Sequence, residues 1–302
     1  RLVNTMNRSP FFYVGDKYKL MKQLSEYFPQ DVNRLIEPFC GGGSVFLNFH
    51  AQSYLANDKN KHMIKLHKFL KSYANNRDLF YKKLEYQIKH YRLSASYLGI
   101  TVSDELKFKH KKTYYAVFNK NAYKAVKDDF NKNKNDLLLL YILLIYGFNH
   151  MLRFNSSGDF NLPVGNVDYN KNVRTALDAY FDFALSNEID FSCLDFVEFI
   201  KDIKFESGDL VYLDPPYLIS KCEYNKGWDE KCESTLLNLL DELNSKGISF
   251  ALSNVFNHKG QSNEILIEWS KKYKIRSVKS NYISYYDNSI KEDTTEVLIT
   301  NY

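Results

Sequence analysis

The tetrapeptide Asp214-Pro215-Pro216-Tyr217 holds the residue types of this sequence that are best suited to chemistry. It directly follows the apolar run Asp209 to Leu213, which predicts a buried strand. Two prolines remove two backbone donors and stiffen the turn, so that carbonyl oxygens face outward beside the Asp214 carboxylate. Such a site suits a planar amino group, whose hydrogens go to Asp214 and the Pro215 carbonyl while Tyr217 stacks on the ring. A rigid loop that only closes the strand is the alternative.

A glycine-rich loop, Glu37 to Ser44 (EPFCGGGS), follows a predicted strand at Arg34 to Pro38. Glycine at this place lets the backbone approach a ligand at the carboxyl end of a strand. The dinucleotide fingerprint fails, because Phe46 stands where the third glycine belongs, and the lysine of a phosphate-binding P-loop is absent. Asp58 ends the next predicted strand, Tyr54 to Asn57, where it can accept hydrogen bonds from ribose hydroxyls. A tight turn without a ligand also fits the glycines.

The elements that must position these residues read as α/β. Between residues 60 and 185 the pattern is mostly helical, interrupted from Tyr146 to Gly165, and the apolar run Leu137 to Phe148 is a buried helix too short to cross a bilayer. We therefore expect a sheet domain made of residues 1–59 and 186–302, with a helical insertion at 60–185. Further strands are predicted at Ile248 to Ser253, Ile275 to Val278 and Glu296 to Thr300, and a helix at Ser234 to Lys246.

Composition excludes several classes of protein. With 44% hydrophobic residues, 22 Phe and 24 Tyr, the chain is not intrinsically disordered. Its four cysteines form no C-x-x-C pair, and no histidine pair has metal spacing, so we expect neither a disulfide framework nor a metal site. No signal sequence is visible, which favours a cytoplasmic protein with reduced thiols.

Positive charge is concentrated in the middle of the chain. From Lys59 to Lys134 there are 19 Lys and Arg against 6 Asp and Glu, although the whole chain carries a net charge of only +5. Interleaved tyrosines and phenylalanines make this stretch suitable for a surface that faces phosphates. A set of solvated lysine-rich helices is the alternative, and composition does not decide between the two.

Five motifs occur in an order that resembles one enzyme family. They are Ser9 to Lys17 (SPFFYVGDK), Glu37 to Ser44, Asn57-Asp58, Asp195-Phe196 and Asp214 to Tyr217. Together they are similar to the S-adenosylmethionine-dependent DNA adenine N6-methyltransferases, in the subgroup of the Dam enzymes and the methylases of short-site restriction systems. The resemblance spans nearly the whole chain and implies a three-layer, Rossmann-like methyltransferase sheet. One departure is Gly15-Asp16, where relatives often have two glycines.

The resemblance implies a role for each motif. In the catalytic loop, Asp214 to Tyr217 would hold a flipped adenine while its N6 receives the methyl group. The cofactor is expected to be S-adenosylmethionine, with no metal. Its expected contacts are Tyr13 and Lys17 at the methionine end, Glu37, Phe39, Gly41 and Gly43 along the pocket, Asp58 at the ribose, and Asp195 and Phe196 at the adenine.

The segment from Asn149 to Gly165 resembles the hairpin that such enzymes lay against DNA bases. Arg153 could make the bidentate contact to guanine that the major groove permits, with Met151 and Asn155 on the same DNA-binding surface. An ordinary hairpin with a surface arginine is the alternative. By this resemblance residues 60–185 form the target-recognition domain, which explains the basic charge there.

The expected function is therefore site-specific N6 methylation of adenine in double-stranded DNA. GATC and CATG-like sites both remain open, as do methylation of cytosine N4, methylation of RNA adenine, and a catalytically silent DNA-binding relative. The expected setting is a prokaryotic or phage-encoded cytoplasmic protein, a monomer or weak dimer without membrane contact. Whether a cognate restriction endonuclease acts separately is left open.

Overall fold

The computed structural model describes residues 5–220, 226–278 and 294–302. The chain divides into two compact units. The helical unit consists of Arg1–Asp16, Gly41–Leu47 and Asn60–Ser186, and the sheet unit of Lys17–Cys40, Asn48–Lys59 and Asn187–Tyr302. Among the described residues, 5–16 and 41–47, which the sequence analysis grouped with the sheet, fall in the helical unit.

The strands all lie in the sheet unit, whereas most of the helices lie in the helical unit. The strands are β1 Val32–Glu37, β2 Ala51–Asn57, β3 Glu188–Ser192, β4 Asp209–Leu213, β5 Ser249–His258, β6 Gln261–Ser262, β7 Lys274–Val278 and β8 Thr295–Thr300. The α-helices are α1 Met21–Tyr27, α2 Lys61–Ser72, α3 Arg77–Tyr91, α4 Asp104–Lys109, α5 Tyr114–Lys132, α6 Leu137–Tyr146, α7 Lys171–Ser186, α8 Phe196–Asp202, α9 Glu230–Ser245 and α10 Glu264–Ser270.

The described strands form one eight-stranded sheet in the order β3-β2-β1-β4-β5-β8-β7, with β6 paired to β5. Neighbouring strands from β3 to β5 are parallel, and β8 is antiparallel to both β5 and β7. The carboxyl ends of β1, β2, β3 and β4 therefore share one edge of the sheet, which is where open α/β sheets bind ligands. A mostly parallel α/β sheet is confirmed.

Alternating side chains of β4 pack on opposite faces of the sheet. Val211 and Leu213 belong to a buried cluster with residues of α8, α9 and α10. Tyr212, between them, packs edge to face against Phe28, which follows α1, at a centroid distance of 5.5 Å. Because successive strand residues point to opposite faces, α8, α9 and α10 pack on one face of β4 and Phe28 packs on the other.

Arg34 and Asp209 join the amino-terminal halves of β1 and β4. Arg34 Nε donates to Asp209 Oδ1 at 3.0 Å, and Nη2 donates to Oδ2 at 2.7 Å. The Asp209 side chain is 1% exposed, and the two residues are register partners across the strands. This bidentate pair fixes the alignment of the strands that carry Glu37 and Asp214.

Helix α6 is the centre of the helical unit. Every residue from Leu139 to Tyr146 is buried, and α2, α3 and α5 contact the helix. A helix without a polar face must be covered on all sides, which confirms the buried helix expected here. It ends at Tyr146, because Gly147 adopts an extended backbone. In the described part of the chain, no helix has the length and apolar character needed to cross a membrane.

Candidate active site

Asp214 directly follows β4 and forms a three-residue cluster within the sheet unit. Lys17 Nζ lies 3.1 Å from Asp214 Oδ1 and donates a hydrogen bond to the Tyr217 hydroxyl at 2.6 Å. That hydroxyl donates to Asp214 Oδ1 at 3.0 Å. Pro215 and Pro216 link the carboxylate to the phenol. The structure thus brings together residues that the sequence analysis assigned separately to catalysis and to the cofactor.

Burial and charge fix the protonation states of this cluster. Lys17 is 8% exposed. Burial alone would lower the pKa of its ammonium, but the charge of Asp214 and the contact with Tyr217 outweigh burial and raise that pKa well above its ordinary value. Burial, followed by the negative charge of Asp214, raises the pKa of the Tyr217 hydroxyl. A cationic lysine and a neutral phenol therefore both bond Asp214 Oδ1, and a donor from a substrate would meet Oδ2.

Glu296 in β8 is a further acidic group that acts on this cluster, and the sequence analysis treated it only as a strand residue. Burial raises the pKa of the Glu296 carboxyl, the charge of Lys17 opposes this, and Asp214 adds to it. Among the residues that the structure describes, Glu296 Oε2 is buried without a hydrogen-bond partner. Only the insertion of β8 beside β5 reveals this proximity, and no local pattern signals it.

Asn57, at the end of β2, ties the loop after β2 to the loops after β1 and β3 at the ligand edge of the sheet. Its Nδ2 donates to the carbonyl oxygens of Pro38 at 3.0 Å and Leu194 at 2.9 Å. Its Oδ1 accepts from Ser192 Oγ at 2.8 Å and from the Leu194 amide at 2.9 Å. Asn57 is fully buried. Sequence analysis singled out the Asn-Asp pair but assigned a role only to Asp58, which follows at this edge half-buried.

The predicted adenine contacts lie on neighbouring loops of the same edge. The rings of Phe39, after β1, and Phe196, at the start of α8, have centroids 5.5 Å apart. Asp195 is the amino-terminal cap of α8, because its Oδ1 accepts from the Val197 amide at 2.9 Å. Glu37 ends β1 and is 2% exposed. The carboxylates and rings assigned to the cofactor in the sheet unit are thus gathered at one edge.

The glycine loop has a structural explanation inside the helical unit. Gly41 and Gly43 adopt positive φ angles of +50° and +88°. A Cβ on Gly43 would lie 2.4 Å from the Phe46 ring, and one on Gly42 would lie 2.9 Å from Ser9 Oγ. Ser9 Oγ also donates to the Gly42 carbonyl at 2.6 Å. These requirements hold with or without a ligand.

Tyr13 lies in the helical unit beside this loop. Its ring is 3.8 Å from the Cβ position of Gly41, and its hydroxyl accepts a hydrogen bond from Asn60 Nδ2 at 3.2 Å. Asn60 in turn caps α2 with its side-chain oxygen. Tyr13 and Gly41 are therefore neighbours.

His67 supports the same loop from the core of the helical unit. Its Nε2 lies 2.7 Å from the Gly41 carbonyl oxygen and its Nδ1 lies 2.9 Å from the Tyr180 hydroxyl. Burial lowers the pKa of His67 from 6.5 to about 4, although the contact with the Gly41 carbonyl opposes this. The imidazole is neutral at physiological pH.

This histidine predicts a pH-dependent stability. Between pH 6.5 and about 4 the unfolded chain binds a proton at His67 that the folded protein does not. The free energy of unfolding should therefore fall as the pH falls, with a slope from this group of at most about 1.4 kcal/mol per pH unit. Urea unfolding of His67→Gln, which cannot titrate, should show a flatter pH dependence. An unchanged slope would contradict the prediction.

The segment from Asn149 to Gly165 contains a hairpin in the helical unit. An antiparallel bridge joins Phe154 to Phe160. Asn155 Oδ1 accepts hydrogen bonds from two backbone amides of the turn, at 3.0 and 2.9 Å, and Gly158 supplies a φ of +80°. Asn155 thus shapes the turn in addition to its predicted contact with DNA.

The Arg153 side chain is held by Asn161 within the same segment. Its Nε donates to Asn161 Oδ1 at 3.0 Å, and its Nη2 donates to the Asn161 carbonyl at 2.8 Å. A bidentate contact to guanine would use the Nη1 and Nη2 edge or displace Asn161. Asn161, which the sequence analysis missed, therefore orients the predicted base-reading side chain.

Two residues with strained backbone begin this segment, and an exposed aromatic ring directly precedes them. Asn149 and His150 have φ angles of +54° and +50°, which are costly for residues with a side chain. Phe148 beside them is 51% exposed, and Met151 follows half-buried. Sequence analysis placed Phe148 at the end of an apolar helix, so only the structure shows that this ring faces solvent.

Exposed lysines lie on α4, on α5 and on the connection between these two helices of the helical unit. They include Lys109, Lys111, Lys112 and Lys120. Phe108 is 77% exposed, and Lys111 Nζ lies 5.3 Å from its ring centroid. A surface with cations and accessible rings suits phosphates and bases. In the described ranges, no group of three or more His, Cys, Asp or Glu side chains is placed to hold a metal ion.

Comparisons with known proteins identify the family to which this chain is similar. The family described as D12 class N6 adenine-specific DNA methyltransferase matches residues 13–294. The chain is 34% identical to the Type II methyltransferase M.FokI of Planomicrobium okeanokoites. The aligned region covers 99% of this chain and 43% of that protein. It is 33% identical to the modification methylase StsI of Streptococcus sanguinis, over 98% of this chain and 43% of that protein.

A shorter relative covers less of this chain. The DNA adenine methylase of Haemophilus influenzae is 29% identical over 73% of this chain and 68% of its own length. The chain spans less than half the length of the two longer relatives. The family match confirms the resemblance that the five motifs indicated.

Proposed function

Because this chain belongs to the family of D12 class N6 adenine-specific DNA methyltransferases, we propose that it transfers a methyl group from S-adenosylmethionine to N6 of an adenine in duplex DNA. The observation that carries this proposal is the cluster of Lys17, Asp214 and Tyr217 at the end of β4. It presents a carboxylate, a carbonyl and a ring on a stiff loop, the groups that an exocyclic amino group requires.

In the proposed mechanism the adenine leaves the base stack to reach this loop. Tyr217 stacks on the base, and its hydroxyl bonds to Lys17 and Asp214 hold the ring in place. Asp214 Oδ2 and the Pro215 carbonyl accept the two N6 hydrogens. Asp214 thereby positions the nitrogen and stabilises the positive charge that develops on it.

Members of the family generally depend on S-adenosylmethionine, which when bound supplies a methyl group activated by the sulfonium charge. The donor set of the sheet unit fits this group. Asp58 offers a carboxylate to ribose hydroxyls, the rings of Phe39 and Phe196 suit an adenine, and buried Glu37 complements a cation. Asp195 borders the same adenine subsite as the cap of α8.

Lys17 is the residue of the sheet unit that we assign to the methionine end of S-adenosylmethionine. Lys17 already bonds Asp214 and Tyr217, and a third hydrogen of its ammonium can serve the methionine carboxylate. Tyr13, Gly41 and Gly43 belong to the helical unit, and their contact with the cofactor is a prediction from the sequence.

We assign DNA reading to the helical unit, with Asn149, Met151, Arg153 and Asn155 at a short site such as GATC or CATG. Several relatives bear the names type II methyltransferase and modification methylase. By analogy, a cognate restriction endonuclease would act on the same site as a separate protein. We propose a monomer or weak dimer in a prokaryotic cytoplasm, in keeping with bacterial and phage relatives.

The test is to incubate the protein with S-adenosylmethionine and plasmid DNA, then to identify modified nucleosides by mass spectrometry and map them by sequencing. We expect N6-methyladenine at one short motif. N4-methylcytosine, or modification of RNA in preference to duplex DNA, would contradict the proposed substrate. Calorimetry without uptake of S-adenosylmethionine would identify a catalytically silent relative instead.

Arg153→Ala tests the proposed reading of guanine. If its guanidinium contacts O6 and N7, the variant should lose about 1–3 kcal/mol of discrimination at one base pair and should methylate near-cognate sites. Asn161→Ala is the matched variant, because it leaves Arg153 in place but removes a side-chain acceptor. A competition assay on duplexes that differ at one pair measures both. Equal weakening on cognate and near-cognate DNA would mark Arg153 as a phosphate contact.

The exposed lysines of α4, of α5 and of the connection between them predict that DNA binding depends steeply on salt. Each neutralised phosphate contributes a slope of about −0.9 in log affinity against log salt concentration. Replacing Lys109, Lys111 and Lys112 by alanine should make the slope shallower by about 2–3 without changing site preference. Exposed Lys201 and Lys204 of the sheet unit serve as control replacements. A native slope near zero would contradict the electrostatic assignment.

A further inference from the structure

Trp228 completes an aromatic cluster at the ligand edge of the sheet unit. Its ring centroid lies 5.3 Å from that of Phe196 and 5.9 Å from that of Phe39. Phe39 follows β1, Phe196 follows β3, and Trp228 lies between β4 and α9. The three rings thus come from connections that leave the carboxyl ends of three parallel strands, where ligands bind in such sheets.

Exposure separates the roles of the three rings. Phe196 is only 7% exposed and belongs to the buried hydrophobic cluster of the sheet unit. Phe39 and Trp228 are themselves only partly buried. A planar ligand that reaches this cluster would therefore find more accessible surface on Phe39 and Trp228 than on Phe196.

The indole of Trp228 is fixed by a buried carboxylate. Glu233 is 0% exposed, and its Oε2 accepts from Trp228 Nε1 at 2.7 Å while its Oε1 accepts from Asn263 Nδ2 at 3.0 Å. Asn263 is held by the Phe256 carbonyl and caps α10. A buried carboxylate is costly, and burial raises the pKa of Glu233. An apolar side chain could fill this space, but it could not orient the indole.

We propose that Trp228 forms one wall of the subsite for the adenine of S-adenosylmethionine, and that Glu233 is a positioning residue that orients this wall. The inference rests on the proposed function, since it concerns the cofactor of that reaction. Stacking and edge-on contacts of an indole suit a purine, and the assignment explains why an indole donor is tied to a buried acceptor.

The two tryptophans of the chain allow a direct test. Trp269 is a matched control, because its Nε1 also donates to a carboxylate, Asp241 Oδ1 at 3.0 Å, and its ring packs on Phe250 in the core. In Trp269→Phe all tryptophan emission comes from Trp228. Titration with S-adenosylhomocysteine should quench or shift that emission, with an affinity equal to that of the native protein by calorimetry.

The complementary variant, Trp228→Phe, should bind the same ligand about tenfold more weakly and show no emission change from Trp269. Glu233→Gln should also weaken binding. Both carboxylate oxygens of Glu233 accept hydrogen bonds, from Trp228 and Asn263, and the NH2 group of a glutamine cannot accept either of them. In a Trp228→Phe background, Glu233→Gln should weaken binding no further, since Glu233 acts through the indole. Thermal unfolding confirms that each variant is folded at the assay temperature.

The possible failures are distinguishable. If the native protein binds S-adenosylhomocysteine but Trp228 emission and the affinity of Trp228→Phe are unchanged, the wall assignment is wrong and the proposed function stands. Additive effects of the two substitutions would overturn the positioning role of Glu233. If the native protein takes up neither S-adenosylmethionine nor its product, the proposed function fails, and this inference fails with it.

Discussion

Asp214→Ala is expected to lower kcat for DNA methylation by about 10²–10³-fold, the loss that follows removal of one preorganised group from a charge-stabilising site. The variant loses the proposed acceptor for one of the two N6 hydrogens and the carboxylate that binds both Lys17 and Tyr217. Affinity for S-adenosylmethionine should change only a few-fold, because the proposed mechanism assigns Asp214 to the target amine and not to the cofactor. Single-turnover transfer of a labelled methyl group to a cognate duplex measures the first quantity, and calorimetry the second.

The control must separate catalysis from stability. Without Asp214, the buried Lys17 ammonium keeps only the Tyr217 hydroxyl of its two partners in the cluster, so Asp214→Ala also destabilises the fold. Asp214→Asn preserves shape but removes the charge, and combining it with Lys17→Met removes both charges. All three variants should be slow when assayed well below their unfolding temperatures. Turnover within about tenfold of native in a folded Asp214→Ala protein would exclude the proposed catalytic role.

Arg34→Ala is expected to reduce the free energy of unfolding by about 3–5 kcal/mol, as removal of one partner from a buried ion pair does. The variant leaves the Asp209 carboxylate, 1% exposed, without its guanidinium. Since the pair aligns β1 with β4, the loss should loosen the edge that carries Glu37 and Asp214. Urea unfolding followed by circular dichroism gives the free energy.

Two comparisons test this explanation. The double variant Arg34→Met with Asp209→Leu removes both charges and should recover most of the lost stability, because apolar residues of similar volume can replace a buried pair. Lys124→Ala breaks the exposed pair with Asp128 and should cost no more than about 0.5 kcal/mol. If Arg34→Ala costs as little as Lys124→Ala, the pair does not fix the strands.

The sequence predicts most of the strands because their hydrophobic pattern is local. β4 has the predicted bounds, and β1, β2, β7 and β8 differ by a few residues at an end. β5 continues beyond Ser253 to His258, because pairing with β6 and β8 supports its polar end. β3 was missed, since only Ile189 of its residues is fully buried, and an edge strand with alternating acidic residues gives little hydrophobic signal.

Some features of the candidate site could be predicted from the sequence, and others could not. Asp214 to Tyr217 could be found from sequence, because the chemistry and the preceding strand are contiguous. The contact of Lys17 with this loop, the three loops bound by Asn57, and the tie between Trp228 and Glu233 depend on tertiary packing. Pattern analysis reads faces and periods, and it does not reveal which side chains meet across the fold.

The central position of β1 in the sheet has a consequence for how the protein is made. β1 and β2 precede Asn60–Ser186, whereas β4, the other neighbour of β1, follows it. During synthesis β1 can pair with β2 early, but its second edge stays open until β4 has emerged, and such edges invite association with other chains. Pairing across so long a separation also slows folding. The cluster of Lys17, Asp214 and Tyr217 can therefore form only late in synthesis. Shortened chains that stop before Asp214 should be inactive and prone to aggregate.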